Sequence, residues 1–208
     1  MQVGEVVFVF DPPAKDSSFK SPRFQANVVL TSHNHNEANG VVNISGKGEE
    51  KSPVVVDGPG EYEISGIPIQ GISSFHDDEK GEKHGRNTIY TFTMEDITLC
   101  HMGDFGEKTL SKEAIEKIGE PDILFLPVGG DTVMDPQTAS KIAAQLEPKI
   151  VIPMRYDNES GKAKDPLREF VKEFSRAGEV KPVEKLTLKK KDLSAKTEAE
   201  VIVLSSCL

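Results

Sequence analysis

The chain has 208 residues, of which 37% are hydrophobic and 28% charged, with a formal net charge of −9. This length and composition predict one soluble globular domain spanning residues 1–208. The acidic balance disfavours a nucleic-acid surface, and without an apolar run of roughly 18 residues or a signal pattern we expect no membrane association.

The first half of the chain is predicted to be rich in β-strands, because short apolar runs alternate there with turn residues. The predicted strands are Val6–Phe10, Val28–Leu30, 41–44, Val54–Val56, a hairpin of 61–64 with 67–72, and a hairpin of 88–94 with Ile97–His101. The hairpin turns are Ser65-Gly66 and Glu95-Asp96, and Asp57-Gly58-Pro59-Gly60 forms a further tight turn.

Beyond residue 105 the hydrophobic period changes to one that favours helices. The predicted helices are Lys112–Ile118 after the capping residue Ser111, 136–145 after Asp135, and Pro166–Phe174. The predicted strands between and after them are Ile123–Pro127, 150–153, 186–188 and 201–204. Two groups of strands with helices outside predict a layered α/β sandwich.

The turn after strand Val28–Leu30 carries the strongest chemical signal. His33 and His35 stand two residues apart, and Glu37 follows two residues later. Zinc, manganese and iron favour such a group, because imidazole nitrogens and carboxylate oxygens are their usual ligands. Position 38 is Ala, where a dinuclear site needs a further ligand. The turn therefore predicts a metal site from which one ligand is missing.

Further candidate site residues follow other predicted strands. His76, Asp104 and Arg155 each stand just past a strand end, and each taken alone also fits an ordinary loop or turn. Together with the His-x-His-x-Glu turn, they favour a single site at one edge of the sheets, because a functional site requires several ligand types to converge.

The order of these segments resembles the metallo-β-lactamase superfamily, and within it small bacterial hydrolases similar to ascorbate-6-phosphate lactonase. The matching pieces are Phe-Asp-Pro at 10–12, Val-Leu-Thr-Ser-His-Asn-His at 29–35, Gly-Pro-Gly-Glu-Tyr-Glu-Ile at 58–64, Gly-Ile-Ser-Ser-Phe-His-Asp at 71–77, Asn-Thr-Ile-Tyr at 87–90, His-Met-Gly-Asp-Phe-Gly at 101–106, Leu-Pro-Val-Gly-Gly at 126–130 and Pro-Lys-Ile-Val-Ile-Pro-Met at 148–154. The resemblance implies a four-layer αββα sandwich with metals at one edge of its two sheets.

The resemblance also implies a ligand set, and this chain departs from it. The family's first metal takes three histidines, which are His33, His35 and His76 here. The second metal takes an Asp and a His at positions 37 and 38 and a His at position 155, and an Asp at position 104 bridges the two metals. With Glu37, Ala38 and Arg155 in those places, the first site is complete and the second has lost two imidazoles.

Arg155 decides between one metal and two. A guanidinium stays protonated, cannot be a ligand and repels a neighbouring dication. We expect it to pair with Asp104 and Glu37, since carboxylates suit its fork of donors. The alternative is that Arg155 points outward and both sites are inactive.

The sequence thus predicts a metal-dependent hydrolase in which one divalent cation activates water. Zinc is the first choice and manganese or iron the alternatives. Asp104 and Arg155 carry catalysis, and Asp104 and Glu37 are further candidate ligands, Asp104 either binding the metal or orienting the water. The expected substrate is a small ester, lactone or phosphoester. The alternative is a non-catalytic descendant that binds a small anion or a protein partner.

The remaining candidates receive simpler interpretations. We expect His84 to be exposed in the charged loop 77–86, with the alternative that this loop closes over the pocket. We expect His101 to orient neighbouring ligands and Asp11 to support the site, the last by the resemblance alone. Cys100 and Cys207 do not make a disulfide framework, so the cytoplasm is the expected compartment. The sequence leaves homo-oligomerisation open.

Overall fold

The two predicted groups of strands form two main sheets in the computed structural model, which describes residues 1–20, 23–130, 132–156, 165–175 and 180–205. The strands are β1 (Gln2–Val3), β2 (Val6–Phe10), β3 (Gln25–Ala26), β4 (Val28–Leu30), β5 (Ser45–Gly46), β6 (Val54–Val56), β7 (Gly60–Ile64), β8 (Ile67–Phe75), β9 (Arg86–Met94), β10 (Ile97–His101), β11 (Ile123–Pro127), β12 (Ile150–Met154) and β13 (Glu200–Val201). The helices are α1 (Lys112–Ile118), α2 (Pro136–Leu146), α3 (Pro166–Phe174) and α4 (Lys190–Ser194).

The small sheet has the order β1-β2-β4-β6, and the large sheet has the order β13-β12-β11-β10-β9-β8-β7. Strands β10 to β13 run parallel, while β7 to β10 are antiparallel neighbours. Helices α1 and α2 connect consecutive parallel strands, which explains why β11 and β12 are continuous apolar runs buried on both faces. The carboxyl ends of β10 and β12 consequently lie at one edge of the sheet.

The layers follow from which side chains are buried together. Phe8 and Val28 of the small sheet pack against Tyr90 and Phe92 of the large sheet. On the other face of the large sheet lie α1, α2 and α3, with residues such as Ile142 and Phe170 in their own core. Full burial of each large apolar side chain contributes about 1.5–3 kcal/mol.

The outer face of the small sheet is covered by a minor cluster around Val29 and Ile44, to which the β3–β5 pair and a 3-10 helix (Val41–Asn43) contribute. The arrangement is the layered α/β sandwich of two sheets that the sequence predicts, with α-helices on the large sheet and the β3–β5 pair and 3-10 helix on the small one. No helix within the described ranges has the length and apolarity to cross a bilayer.

Two predicted strands are wrong. Residues 41–44 lie outside both main sheets, with Val41–Asn43 forming the 3-10 helix and Ile44 capping it. Val42 is consequently 90% exposed. Residues 186–188 are extended but unpaired, and Leu186 and Leu188 pack against the core between the sheets instead. Both segments have β-type composition but lack a neighbouring strand to complete a ladder.

Candidate metal centre

Three imidazoles converge at the edge where the two sheets meet. His33 and His35 lie in the turn after β4 of the small sheet, and His76 follows β8 of the large sheet. One ring nitrogen from each residue lies within 4.8 Å of the others. His33 and His76 are buried and His35 is half-buried, so the group is accessible from one side. The predicted trio is therefore assembled.

Hydrogen bonds fix which nitrogen of His33 faces the centre. The hydroxyl of Ser32 donates to Asp11 Oδ2 at 2.8 Å, so the same oxygen must accept from His33 Nδ1, also at 2.8 Å. The backbone N–H of Ser32 donates to Asp11 Oδ1 at 2.6 Å and holds the carboxylate in place. His33 thus carries its proton on Nδ1, and the lone pair of Nε2 points into the centre.

His76 is oriented in the same way by a backbone carbonyl. Its Nδ1 lies 3.0 Å from the carbonyl oxygen of Thr132, which can only accept, so Nδ1 is protonated. Its Nε2 lies 3.2 Å from Asp104 Oδ2. In both histidines, therefore, Nε2 faces the centre while Nδ1 is anchored outside it, which is how protein metal sites hold imidazole ligands.

Asp104 is placed by the turn that follows β10. Its backbone N–H donates to the side chain of Asn87, which itself donates to Ser74 and to the carbonyl of Met102. The turn approaches the histidine segment so closely that a Cβ on Gly103 would lie 2.4 Å from Ser32 Cβ. Gly103 also has a φ of +58°, where glycine is favoured.

Arg155 reaches inward from the end of β12. Its Nη2 donates to Asp104 Oδ2, and its side chain is 27% exposed whereas that of Asp104 is 2% exposed. Its backbone has a φ of +55°, an uncommon conformation for a residue with a side chain. The predicted pairing with Asp104 is therefore present, and the outward alternative is not what the structure shows.

The electrostatics of the centre follow from burial and from Asp104. Burial lowers the pKa of His33 to about 3 despite the nearby Asp104, so this imidazole is neutral. Burial also acts against the charged forms of His76 and Asp104, but their mutual hydrogen bond outweighs it, raising the pKa of His76 and, together with Arg155, lowering that of Asp104.

The donor set fits a divalent cation. Within the described part of the chain His33 Nε2 is a buried polar atom without a hydrogen-bond partner, and Asp104 Oδ2 lies 3.4 Å away. Because His33 is neutral and its proton is on Nδ1, two electron-pair donors face each other there, an arrangement that is unfavourable unless a cation at the centre compensates it. Neutral imidazoles with a carboxylate are a ligand set for zinc, manganese or iron.

The other predicted site residues lie around this centre. Glu37 is half-buried and close enough to His35 to influence its pKa, but it is not in the donor group, and an ion pair with Arg155 is not found among the described residues. Ala38 is fully buried in the turn. His101 lies 3.8 Å from Asp11 Oδ2 and stacks on Phe10, so it contacts the support of the site rather than the metal donors.

His84 is half-buried rather than exposed, with its ring 5.3 Å from that of His76, as the alternative of a loop closing over the pocket requires. Three further residues have a role in the site that the sequence does not predict. Ser32, Asn87 and Thr132 orient the site and were not singled out. Asn87 carried a signal, since it is a polar residue at the start of an apolar strand, whereas Thr132 acts through its backbone and carried none. Cys207 lies outside the described residues.

Comparison with known proteins supports the metal site that the geometry indicates. The family model described as the beta-lactamase superfamily domain matches residues 1–155. A crystal structure from Thermotoga maritima, assigned as a Zn-dependent hydrolase of the metallo-β-lactamase superfamily, is 31% identical with a TM-score of 0.69, over 95% of this chain and 88% of that one.

Curated relatives carry the name UPF0173 metal-dependent hydrolase. One from Methanopyrus kandleri is 29% identical over 57% of this chain, and one from Bacillus licheniformis is 25% identical over 75% of this chain and 80% of its own length. The chain spans about half the length of several curated relatives it matches, 53% for Methanopyrus kandleri and 48% for Thermococcus kodakarensis. The family model and the Thermotoga structure together establish that this chain belongs to the metallo-β-lactamase superfamily.

Proposed function

We propose that this protein is a metal-dependent hydrolase that uses one divalent cation per chain and acts on a small ester, lactone or phosphoester. The observation that carries the proposal is the unsatisfied His33 Nε2 facing Asp104 Oδ2 inside a trio of converging imidazoles, of which His33 and His76 are oriented by hydrogen bonds. Zinc is the proposed metal, with manganese or iron as alternatives that the same ligands accept. The likeness to ascorbate-6-phosphate lactonase stays a prediction and is the reason for including lactones.

The proposal of a single cation rests on Arg155. Its guanidinium occupies one side of Asp104, the residue that in the family bridges two metals. Two unit charges about 4 Å apart interact by roughly 4 kcal/mol near a protein surface, and a dication doubles that repulsion. Ala38 offers no donor atom in compensation. The same contact neutralises Asp104 in part, so the carboxylate does not require a second metal.

The chain's own groups suit hydrolysis. When bound, such a cation supplies Lewis-acid chemistry and lowers the pKa of water to about 7 in the case of zinc. His33, His35 and His76 would hold it, and Asp104 would accept a hydrogen bond from the attacking water and so orient it. Arg155, partly exposed beside Asp104, would stabilise negative charge that develops on a carbonyl or phosphoryl oxygen.

The remaining parts of the proposal concern the whole protein. We place it in the cytoplasm as a single domain acting on a small molecule, without nucleic-acid or membrane partners. The free, buried thiol of Cys100 and the acidic net charge support this placement.

The test is metal analysis combined with turnover. Protein produced in zinc- or manganese-supplemented medium should contain one metal per chain and hydrolyse bis(p-nitrophenyl) phosphate or a simple lactone. His33→Ala should lose both properties, whereas Ser73→Ala, an exposed serine on β8, should keep both. Metal-free protein whose thermal stability does not change when zinc is added would contradict the proposal and favour a non-catalytic binding protein.

A further inference from the structure

A loop organised by a single carboxylate borders the metal centre. Asp77 Oδ1 accepts hydrogen bonds from the backbone N–H groups of Glu79 at 2.9 Å and Gly81 at 2.8 Å. Its Oδ2 accepts from those of Lys83 at 3.1 Å and His84 at 2.8 Å. Although burial works against ionisation, these four donors lower the pKa of Asp77 to about 2. The carboxylate thus fixes the backbone from 79 to 84.

The loop closes on the ligand His76 itself. The backbone N–H of Gly85 donates to the carbonyl of Gly81 at 3.1 Å, and the N–H of His76 donates to the carbonyl of Gly85 at 3.1 Å. Gly81 has a φ of +80°, and a Cβ there would lie 2.8 Å from that carbonyl oxygen, so only glycine allows this closure. The residue before Gly85 must therefore lie beside His76.

That residue is His84, and its ring lies beside that of His76. Its centroid is 5.3 Å from that of His76 at an interplanar angle of 42°. His84 is not among the three converging donors, so its ring nitrogens are not committed to the metal.

His84 also lines a cleft beside the centre, whose lining does not include the three imidazoles and whose charged side chains are largely paired. The cleft has a volume of about 220 Å³ and is bordered by Lys83, Lys108 and Asp78 among others. Lys83 pairs with Glu79, and Lys108 pairs with Asp78. Because its half-buried ring lies 5.3 Å from that of His76, His84 is the polar group of this loop best placed to meet a molecule bound at the trio.

We infer that His84 is a substrate-contacting residue whose imidazole donates a hydrogen bond to an oxygen of the molecule bound at the trio, with Asp77 as its positioning residue. The inference rests on the proposed function, because it takes the trio as the ligand site. The hydrogen bond from His84 would select ligands that turn an acceptor oxygen toward the loop, such as a phosphoryl or carboxylate oxygen. The metal donors alone do not provide this specificity.

Binding of inorganic phosphate to the zinc-loaded protein, measured by isothermal titration calorimetry, tests the inference without requiring turnover. His84→Phe keeps a ring beside His76 but removes the donor, and should raise the Kd for phosphate about tenfold or more. His84→Gln keeps an N–H donor and should stay within about threefold of the wild type. The zinc content should be the same in all three proteins, since His84 is not a ligand.

A double-mutant cycle tests the role of Asp77. Asp77→Asn should weaken phosphate binding in the wild-type background and add little in the His84→Phe background, because it acts through His84. Equal phosphate affinity of wild type, His84→Phe and His84→Gln would overturn the inference, as would zinc-loaded wild type that does not bind phosphate. Phosphate binding that depends on His84 in a protein without hydrolytic activity would instead contradict the proposed function alone.

Discussion

At the scale of single residues, the centre depends on hydrogen bonds that choose an imidazole tautomer. The path from Asp11 through Ser32 to His33 makes Nδ1 the protonated nitrogen and leaves Nε2 for the metal. Burial is the main cause that raises the pKa of Asp11, to about 7, and the hydrogen bonds from Ser32 oppose it. The ionised form of Asp11 therefore depends on Ser32. Removing the Ser32 hydroxyl consequently tests the whole chain of hydrogen bonds from Asp11 to His33.

Ser32→Ala removes the acceptor of His33 Nδ1–H and should weaken zinc binding by about 10–100-fold, the usual effect of losing a group that orients a ligand. Competition with a chromophoric chelator measures this affinity. Ser73→Ala, an exposed serine on β8, is the control and should bind zinc like the wild type. Equal zinc affinities of the two variants would contradict the orienting role of Ser32.

Arg155 and Ala38 allow the opposite experiment, in which a second metal site is rebuilt. The double variant Ala38→His, Arg155→His replaces a permanent positive charge by a neutral donor and adds a second imidazole. We expect the zinc content, measured by inductively coupled plasma mass spectrometry, to rise from one to two per chain. Two zinc ions in the wild type, or one in the double variant, would show that Arg155 does not set the metal number.

How far the site could be predicted depends on where each residue lies in the sequence. His33, His35, His76, Asp104 and Arg155 all follow strands, so residue type and strand position indicate them. His84 stands nine residues after β8, and its place beside His76 results from the hydrogen bonds of Asp77. Such contacts between backbone and side chain leave no periodic pattern in a sequence.

At the scale of elements, the sequence predicts correctly the helices and strands whose limits are set by neighbouring residues, such as helix caps. Helices α1 and α2 begin where their capping residues Ser111 and Asp135 predict, and each cap accepts a hydrogen bond from a backbone N–H in the first turn. The wrong strands, 41–44 and 186–188, have suitable composition, but a strand also needs a partner. Whether an edge is free is a property of the sheet, which composition does not report.

The turn between β10 and Asp104 gives a prediction at this scale. Gly103→Ala would add a Cβ both at positive φ and against Ser32, whereas Gly4, with a φ of +54°, has open space around it. Gly4→Ala should cost about 1–2 kcal/mol from backbone strain alone. Gly103→Ala should cost clearly more and also lower the zinc affinity, because Asp104 and His33 must separate. Urea unfolding compares the two variants, and equal losses would contradict the packing argument.

At the scale of the whole molecule, the site lies where the two sheets are joined. The hydroxyl of Tyr90 donates to the carbonyl of Thr31 at 2.8 Å, and the N–H of Thr88 donates to the carbonyl of Ser32 at 2.8 Å. Both bonds connect the large sheet to the turn that carries His33 and His35. A cation held by residues of both sheets would therefore act as a further connection between them.

Removal of the metal should accordingly destabilise the entire fold. A ligand present at about 1,000 times its Kd stabilises the folded state by about 4 kcal/mol, and for a domain of this size each kcal/mol corresponds to a shift of roughly 2–4 °C in Tm. We expect dialysis against EDTA to lower the Tm by roughly 8–16 °C and added zinc to restore it. His33→Ala should show neither response, because the trio is incomplete. A Tm unaffected by EDTA and zinc in protein that demonstrably contained metal would mean that the cation does not connect the two sheets.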